Sequence, residues 1–187
     1  LMTPQPSNPL KNWDLYRSRI VDPVRIQAGV RFWRTHRRTL ERAEARFGVP
    51  AEIIVGIIGV ETLYGRHMGR HRVIDTLATL AFDFPPEHPR ARERSLFFKG
   101  ELEYLLTLER QRGVNPLKLE GSYAGAMGIS QFMPSSWARF AIDFDGDGRI
   151  DLFKSPADAI GSVANYFKTF NWQPGLPTHY SVDFDPE

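Results

Sequence analysis

Residues 53–61 read Ile-Ile-Val-Gly-Ile-Ile-Gly-Val-Glu, an apolar run that is closed by a single carboxyl group. At helical spacing five side chains share one face: Ile54, Ile57, Ile58, Glu61 and Tyr64. We therefore expect Glu61 to project from the core-facing side near the helix C-terminus, where desolvation and the helix dipole would both raise its pKa. A carboxylic acid that is protonated near neutral pH is suited to donate a proton to a glycosidic oxygen. A buried glutamate that only holds two helices together is the structural alternative.

Helical periodicity extends from this run over most of the chain. Apolar spacing, with proline and glycine at the boundaries, predicts helices over 23–47, 50–64, 73–82, 96–112, 135–140 and 156–170. We expect a proline-broken loop at 83–95, a tail or linker at 1–11, and capping of the short fifth helix by Ser135 and Ser136. The two-residue alternation of a sheet is not sustained anywhere. The predicted fold class is mainly α, as one domain over residues 12–187.

The composition is typical of a globular domain. The 187 residues are 42% hydrophobic and 25% charged, which excludes disordered and fibrous classes. The longest apolar run, residues 53–60, is far shorter than a membrane span requires. The sequence has no cysteine, so disulfides, thiol nucleophiles and cysteine-ligated metals are excluded.

Charge is distributed unevenly along the chain. Residues 1–50 carry ten Lys or Arg against four Asp or Glu, whereas residues 140–187 carry three against eight. The arginine-rich stretch at 31–46 also has Phe32 and Leu40 at helical spacing, which indicates the solvated face of an amphipathic helix. No recognition motif accompanies the charge, so we predict no nucleic-acid partner.

A glycine-rich segment occupies residues 121–134. It lacks the Lys-Ser/Thr ending of a phosphate-binding loop. Ser122 and Gln131 offer hydrogen bonds, and apolar surface comes from Tyr123, Met127, Phe132 and Met133. This combination suits an N-acetylated sugar. A tight loop whose glycines only permit close helix packing is the alternative.

Residues 143–151 have the spacing of an EF-hand calcium loop. Aspartates stand at loop positions 1, 3, 5 and 9, and these are Asp143, Asp145, Asp147 and Asp151. Arg149, at position 7, would contribute its backbone carbonyl, but Lys154 replaces the usual glutamate at position 12. We predict one structural calcium ion. A solvated acidic turn is the alternative, and calcium signalling would need a second, paired loop.

Four segments, in order, closely resemble the membrane-bound lytic transglycosylase B family and its soluble relatives, which act on bacterial peptidoglycan. They are 56–62 (Gly-Ile-Ile-Gly-Val-Glu-Thr), 121–128 (Gly-Ser-Tyr-Ala-Gly-Ala-Met-Gly), 131–136 (Gln-Phe-Met-Pro-Ser-Ser) and 159–167 (Ala-Ile-Gly-Ser-Val-Ala-Asn-Tyr-Phe). The resemblance runs from about residue 12 to residue 172.

This resemblance implies a lysozyme-like helical fold with Glu61 as the catalytic acid and base. In the family the glutamate protonates the oxygen between N-acetylmuramic acid and N-acetylglucosamine. It then deprotonates the muramyl 6-hydroxyl, which closes onto C1 to leave a 1,6-anhydro end. Assistance by the N-acetyl group would explain one carboxyl group where most glycosidases use two.

The resemblance also implies further site residues. Substrate contacts would come from Tyr16, Arg94, Ser122, Met127, Gln131, Phe132 and Tyr166. Asp158, in the helix after the acidic loop, would replace the missing position-12 ligand, so the implied calcium set is Asp143, Asp145, Asp147, Arg149 and Asp158, with a role for Asp151 left open.

The family's setting is the periplasm of Gram-negative bacteria, as a soluble protein or an outer-membrane lipoprotein. Peptidoglycan strands are the expected partner, together with cell-wall synthesis proteins, and any membrane attachment would use a lipid anchor outside this chain. Family members continue beyond residue 187, so we expect the C-terminal part of their domain to be absent. A calcium-stabilised peptidoglycan-binding module without turnover is the alternative function, and a calcium-responsive interaction protein is disfavoured by the single loop.

Overall fold

Seven α-helices account for most of residues 13–181, the part of the chain that the computed structural model describes. They are α1 (Trp13–Ile20), α2 (Pro23–Phe47), α3 (Ala51–Thr62), α4 (Val73–Phe82), α5 (Ala91–Arg112), α6 (Pro134–Phe140) and α7 (Pro156–Thr169). Two short strands, β1 (His71–Arg72) and β2 (Glu120–Gly121), pair antiparallel. The prediction of a mainly helical fold is confirmed, and the predicted tail at 1–11 lies outside the described residues.

The core consists of two clusters of buried side chains. The first lies between α2, α3 and α7 and includes Leu40, Ile54, Ile58 and Ile160, all of which are fully buried. The second lies between α4, α5 and α6. Because α7 packs against α2 and α3 and also contacts α6, it lies at the boundary between the two clusters.

The arginine-rich helix α2 is amphipathic, as its spacing predicted. Phe32, Leu40 and Ala43 are buried, whereas the arginines at 31, 34, 37 and 38 are exposed. Asp22 caps the helix by accepting hydrogen bonds from the backbone N–H groups of Val24 and Arg25. No helix among the described residues has the length and apolar content to cross a membrane.

Helices α1 and α5 differ most from the sequence-based expectation. Helix α1 was not predicted, because its eight residues have no buried face that would produce a periodic pattern. Helix α5 begins at Ala91 rather than residue 96, because its first turn is charged and gives no apolar signal. It is supported there by an ion pair between Arg90 and Glu93 and by a hydrogen bond from Ser95 Oγ to the carbonyl of Ala81.

The capping of α6 also differs from the expectation. The helix begins at Pro134, so Ser135 lies inside its first turn and does not cap it. Both the backbone N–H and the hydroxyl of Ser135 donate to the carboxylate of Glu101, at 2.9 and 2.6 Å. Glu101 is buried in α5, so this helix start is capped by a neighbouring helix, which the local sequence could not reveal.

Candidate active site

A pocket of about 260 Å³ opens where α3, α6 and α7 meet the glycine-rich segment. Its lining residues are Ile57, Glu61, Ser130, Gln131, Phe132, Met133, Ser136, Val163, Tyr166 and Phe167. The structure thus brings together four of the predicted site residues, Glu61, Gln131, Phe132 and Tyr166, although about 70 residues separate the first two in the sequence.

Glu61 lies at the edge of the α3 core face and not on it, which corrects the expectation. Its side chain is accessible to solvent, whereas the next residue, Thr62, is buried. Ile57, one turn before Glu61, also lines the pocket. Desolvation by the surrounding protein raises the pKa of Glu61, and the carboxyl group makes no hydrogen bond or ion pair with any described residue. Glu61 is therefore a partly desolvated acid that a ligand can reach.

Thr62 attaches the end of α3 to the glycine-rich segment. Its Oγ1 donates a 2.8 Å hydrogen bond to the carbonyl of Ile129 and accepts one from the N–H of Gly65 at 2.9 Å. Because Ile129 lies two residues before Gln131, this contact holds Glu61 and Gln131 at the same pocket. Thr62 thus positions the site from inside the core.

Tyr64 does not share the face of Glu61, contrary to the expectation. Leu63 and Tyr64 have φ angles of 50° and 61°, which end the helix and turn the tyrosine away. The Tyr64 ring lies against Gly29 and Gly59, where a Cβ atom would overlap with its hydroxyl group. Gly59 therefore permits the close approach of the Tyr64 ring, whereas Gly56 has no heavy atom within 4 Å of its ideal Cβ position.

Gln131 is held with its amide nitrogen bonded to protein. The Nε2 group donates to the carbonyls of Gly128 and Met68, at 2.9 and 3.2 Å, and the backbone has a φ of 50°. The Oε1 atom has no partner among the described residues, so it is available to accept a hydrogen bond from a ligand.

Tyr166 belongs to an aromatic cluster on one wall. Its ring centroid lies 5.8 Å from that of Phe132, 5.2 Å from that of Phe140 and 4.6 Å from that of Phe170. Such packing fixes the plane of the ring. This wall therefore offers a sugar an apolar surface beside a hydroxyl group that has no partner within residues 13–181.

Ser130 is a pocket residue that the sequence analysis missed. It is only 5% exposed, and its Oγ is buried without a hydrogen-bond partner in the described structure. An unpartnered buried hydroxyl is costly unless a ligand or water satisfies it. Ser136, two residues beyond the glycine-rich segment, was missed as well, whereas Met133, one of the predicted apolar groups of that segment, does line the pocket.

Two predicted contacts in the glycine-rich segment lie outside the pocket lining. Ser122 accepts hydrogen bonds on its Oγ from the N–H groups of Ala124 and Ala126, at 3.2 and 3.0 Å, so it closes the local turn. Met127 has no exposed surface and packs in the second core cluster, so its side chain supports the pocket from behind and does not form its wall.

Tyr16 and Arg94 are also not among the pocket-lining residues. Tyr16 is on α1 and stacks on Trp13, with the ring centroids 6.0 Å apart. The guanidinium group of Arg94, on α5, lies over the rings of Phe97 and Phe98. The structure therefore brings neither side chain into the pocket that contains Glu61.

The acidic loop forms a compact carboxylate cluster. Oxygen atoms of Asp143, Asp145 and Asp147 all lie within 4.8 Å of one another. Gly146 and Gly148 have φ angles of 81° and 86°, the left-handed conformation that lets the chain wrap back on itself. Three converging carboxylates fit a hard cation such as calcium, because their mutual repulsion falls when a cation binds.

Asp158 has a different role from the three clustered aspartates. Its carboxylate is buried and accepts hydrogen bonds from the N–H groups of Phe144 and Asp151, both at 2.8 Å. It therefore connects the two ends of the loop to α7. Arg149 is exposed, and Asp151 Oδ1 caps the following turn by accepting from the N–H groups of Phe153 and Lys154.

Comparison with known proteins identifies close relatives. A family model described as the transglycosylase SLT domain matches residues 1–187. The membrane-bound lytic murein transglycosylase B of Escherichia coli (strain K12) is 51% identical over 192 residues, which cover 96% of this chain and 51% of the relative. The chain thus spans about half the length of the relative that it matches.

Solved structures agree with this result. The soluble lytic transglycosylase SltB1 from Pseudomonas aeruginosa matches with a TM-score of 0.85 and 53% identity, over 92% of this chain and 56% of that one. The E. coli lytic transglycosylase Slt35 in complex with calcium matches with a TM-score of 0.80 and 52% identity, over 87% of this chain and 50% of Slt35. P. aeruginosa SltB3 in complex with NAG-NAM-pentapeptide matches with a TM-score of 0.82 and 37% identity, over 96% of this chain and 45% of SltB3. The predicted lysozyme-like fold is confirmed by these similarities.

Proposed function

Because the chain belongs to the transglycosylase SLT domain family, we propose that it is a lytic murein transglycosylase with Glu61 as its single acid and base. The position of Glu61 carries this proposal. Among the described residues that line the pocket it is the one carboxyl group, and desolvation raises its pKa. Hydrolytic glycosidases generally use two carboxyl groups, so a pocket with one suits a route that does not activate water.

The proposed reaction cleaves the β-1,4 bond between N-acetylmuramic acid and N-acetylglucosamine. Protonated Glu61 donates its proton to the bridging oxygen, and the bond from that oxygen to muramyl C1 breaks. The resulting carboxylate removes the proton from the muramyl 6-hydroxyl, whose oxygen bonds to C1. The products are a 1,6-anhydromuramyl end and a free 4-hydroxyl on N-acetylglucosamine, and water is neither consumed nor released.

The other pocket groups are proposed to bind the sugar. Gln131 Oε1 and the hydroxyl group of Tyr166 lack partners in the described structure, so each can bond to a sugar hydroxyl or N-acetyl group. Phe132 supplies apolar surface beside them. Substrate contacts by Ser122, Arg94 and Tyr16 remain predictions from the family resemblance.

The test is the mass of the product released from purified peptidoglycan sacculi. We expect the wild-type protein to release muropeptides that are lighter by one water than the reducing-end species, and Glu61→Gln to release none. Glu52→Gln is the matched control, because Glu52 is exposed on the same helix outside this pocket. Reducing-end products would instead show hydrolysis, and glycan affinity without any product from the wild type would favour a binding module.

We also propose that residues 143–151 hold one structural calcium ion. Asp143, Asp145 and Asp147 would ligate it together with the backbone carbonyl of Arg149. Both oxygens of Asp158 accept backbone hydrogen bonds, but each keeps a second lone pair that could complete the site. The calcium complex of Slt35, which is 52% identical to this chain, supports this proposal.

A peptidoglycan strand is the proposed partner, and the periplasm is the proposed location. SltB3 was solved with NAG-NAM-pentapeptide, which supports a substrate of this class. The E. coli relative is named membrane-bound and SltB1 is named soluble, so the similarity is compatible with either form.

A further inference from the structure

A second depression, of about 390 Å³, lies between α4 and the glycine-rich segment. The residues that matter for its chemistry are His71, Asp75, Thr76, Thr79, Asp83 and Tyr123. None of them lines the pocket that contains Glu61, so the two depressions are separate.

The polar groups of this depression come from one face of α4. Asp75, Thr79 and Asp83 follow one another at four-residue spacing, so they lie along one side of the helix and its C-terminal end. Asp75 also forms a 3.4 Å ion pair with Arg72, but both side chains are more than half exposed and the pair is weak. The carboxylates and hydroxyl groups are therefore available to a ligand.

Tyr123 contributes an aromatic surface to the same depression. Its side chain is 61% exposed, and its ring stacks on no other ring in the described part of the chain. An exposed aromatic ring beside carboxylates and hydroxyl groups is suited to a hexose, because a sugar ring has an apolar C–H face and a polar rim. Two carboxylates make the same depression unfavourable for an anion.

Backbone pairing connects this depression to the active-site pocket. His71 pairs with Gly121, Gly121 with Met127, and Met127 with Phe132, which lines the pocket of Glu61. Paired strands lie about 4.8 Å apart, so these three steps span roughly 14 Å. A polysaccharide that is held at Glu61 extends well beyond its cleaved bond, and a strand of several sugars can reach from one depression to the other.

We propose that the second depression is an accessory subsite for a hexosamine ring of the glycan strand that is cleaved at Glu61. The face of the sugar ring packs on Tyr123, and its hydroxyl groups bond to Asp75, Thr79 and Asp83. The subsite increases affinity for long strands and takes no part in the chemistry. This inference rests on the proposed function, because it requires a polymeric glycan as the substrate.

The first test compares substrates of different lengths. We expect Tyr123→Ala to raise KM for long glycan strands about three- to tenfold while leaving kcat unchanged, and to leave both constants unchanged for a disaccharide, which is too short to reach from Glu61 to Tyr123. Tyr180→Ala is the matched control, since Tyr180 is 71% exposed and lies outside both depressions. An equal effect of Tyr123→Ala on long and short substrates, or no effect on either, overturns the inference.

The second test measures binding without turnover. Glu61→Gln protein is titrated with N-acetylglucosamine tetramers, and backbone amide shifts are followed by NMR. We expect changes at His71, Thr79 and Tyr123 in addition to Gln131. Changes confined to the pocket of Glu61 overturn the subsite. It is also overturned if Tyr123 responds only when peptide-bearing fragments replace the tetramer in the titration. Failure of the wild-type protein to form anhydro product contradicts the proposed function instead, so the two failures are distinguishable.

Discussion

Two adjacent residues on α3, Glu61 and Thr62, show how the site depends on the orientation of single side chains. Thr62 is buried and bonded to Ile129, whereas Glu61 opens into a pocket with largely apolar walls. Successive residues on a helix are rotated by about 100°, so anchoring one side chain in the core directs its neighbour along the rim. The raised pKa of Glu61 follows from this position.

The first prediction at this scale concerns the pH dependence of activity. Glu61 must be protonated to act as the acid, and desolvation raises its pKa above the ordinary value of 4.5. We expect kcat/KM to remain high below this raised pKa and to fall as the pH rises through it. A pH–rate profile measures where this fall occurs. A fall centred at or below pH 4.5 would contradict the assignment.

The same shift determines the sign of a stability effect. A carboxyl group whose pKa is higher in the folded state contributes stability below its unfolded pKa and loses it as the pH rises through the folded pKa. Gln cannot ionise, so only the wild type loses this stability. The thermal midpoint of Glu61→Gln should therefore rise relative to that of the wild type between pH 4 and pH 7. Glu52→Gln controls for substitution on the same helix. A midpoint of Glu61→Gln that falls relative to the wild type as the pH rises would refute the expectation.

At the scale of elements, the acidic loop is connected both to the core and to the active site. Phe144 is buried in the first core cluster, and its carbonyl accepts a hydrogen bond from Arg42 on α2. At the other end of the loop, the carbonyl of Leu152 accepts a 2.8 Å hydrogen bond from the N–H of Ile129. A cation that orders the loop would therefore also stabilise the segment that carries Gln131.

The prediction at this scale is that calcium stabilises the fold. With calcium at a hundred times its dissociation constant, we expect about 2–3 kcal/mol of added stability, or roughly 5–10 °C in thermal midpoint, because the ion binds only the folded loop. Chelation should reverse the gain, and Asp145→Asn should abolish the response. Asp14→Asn, an exposed aspartate on α1, is the control. Equal midpoints with calcium and with chelator would show that the loop is a solvated acidic turn.

At the scale of the whole molecule, the active-site pocket lies at the junction of the two core clusters. Ile57 and Phe167 pack against the first cluster. Phe132 belongs to the second cluster, and Tyr166 packs against it. All four line the pocket. The distance from Glu61 to the aromatic wall therefore depends on how the two clusters dock along α7.

The prediction at this scale concerns the contact between α7 and the acidic loop. A Cβ at Gly161 would overlap with the ring of Phe144, so Gly161→Ala should destabilise the fold by about 1–3 kcal/mol and weaken calcium binding. Gly100→Ala is the matched control, because nothing lies within 4 Å of that ideal Cβ position. It should stabilise the fold by about 0.5–1 kcal/mol. Thermal unfolding and calcium titration measure both variants, and equal behaviour of the two would contradict the packing argument.

The sequence was most informative where local spacing determines the structure. The bounds of α2 and α4 agree with the prediction, and those of α3 and α7 agree within two residues, because their apolar periodicity and terminal residues are strong. Helix α1 and the first turn of α5 gave no such signal, because their residues are mostly exposed. The cap of α6 could not be predicted, since Glu101 reaches it from another helix.

The sequence alone determined the mainly helical fold class, the identity of Glu61 as the candidate acid and the ligand spacing of the acidic loop, because these depend on residue types at short separations. The tertiary structure decided which side chains share the pocket. It brought Ser130 and Gln131 to Glu61, placed Met127 in the core, and left Tyr16 and Arg94 outside the lining. Such placements depend on how helices dock on one another, and docking is determined by contacts between residues far apart in the chain.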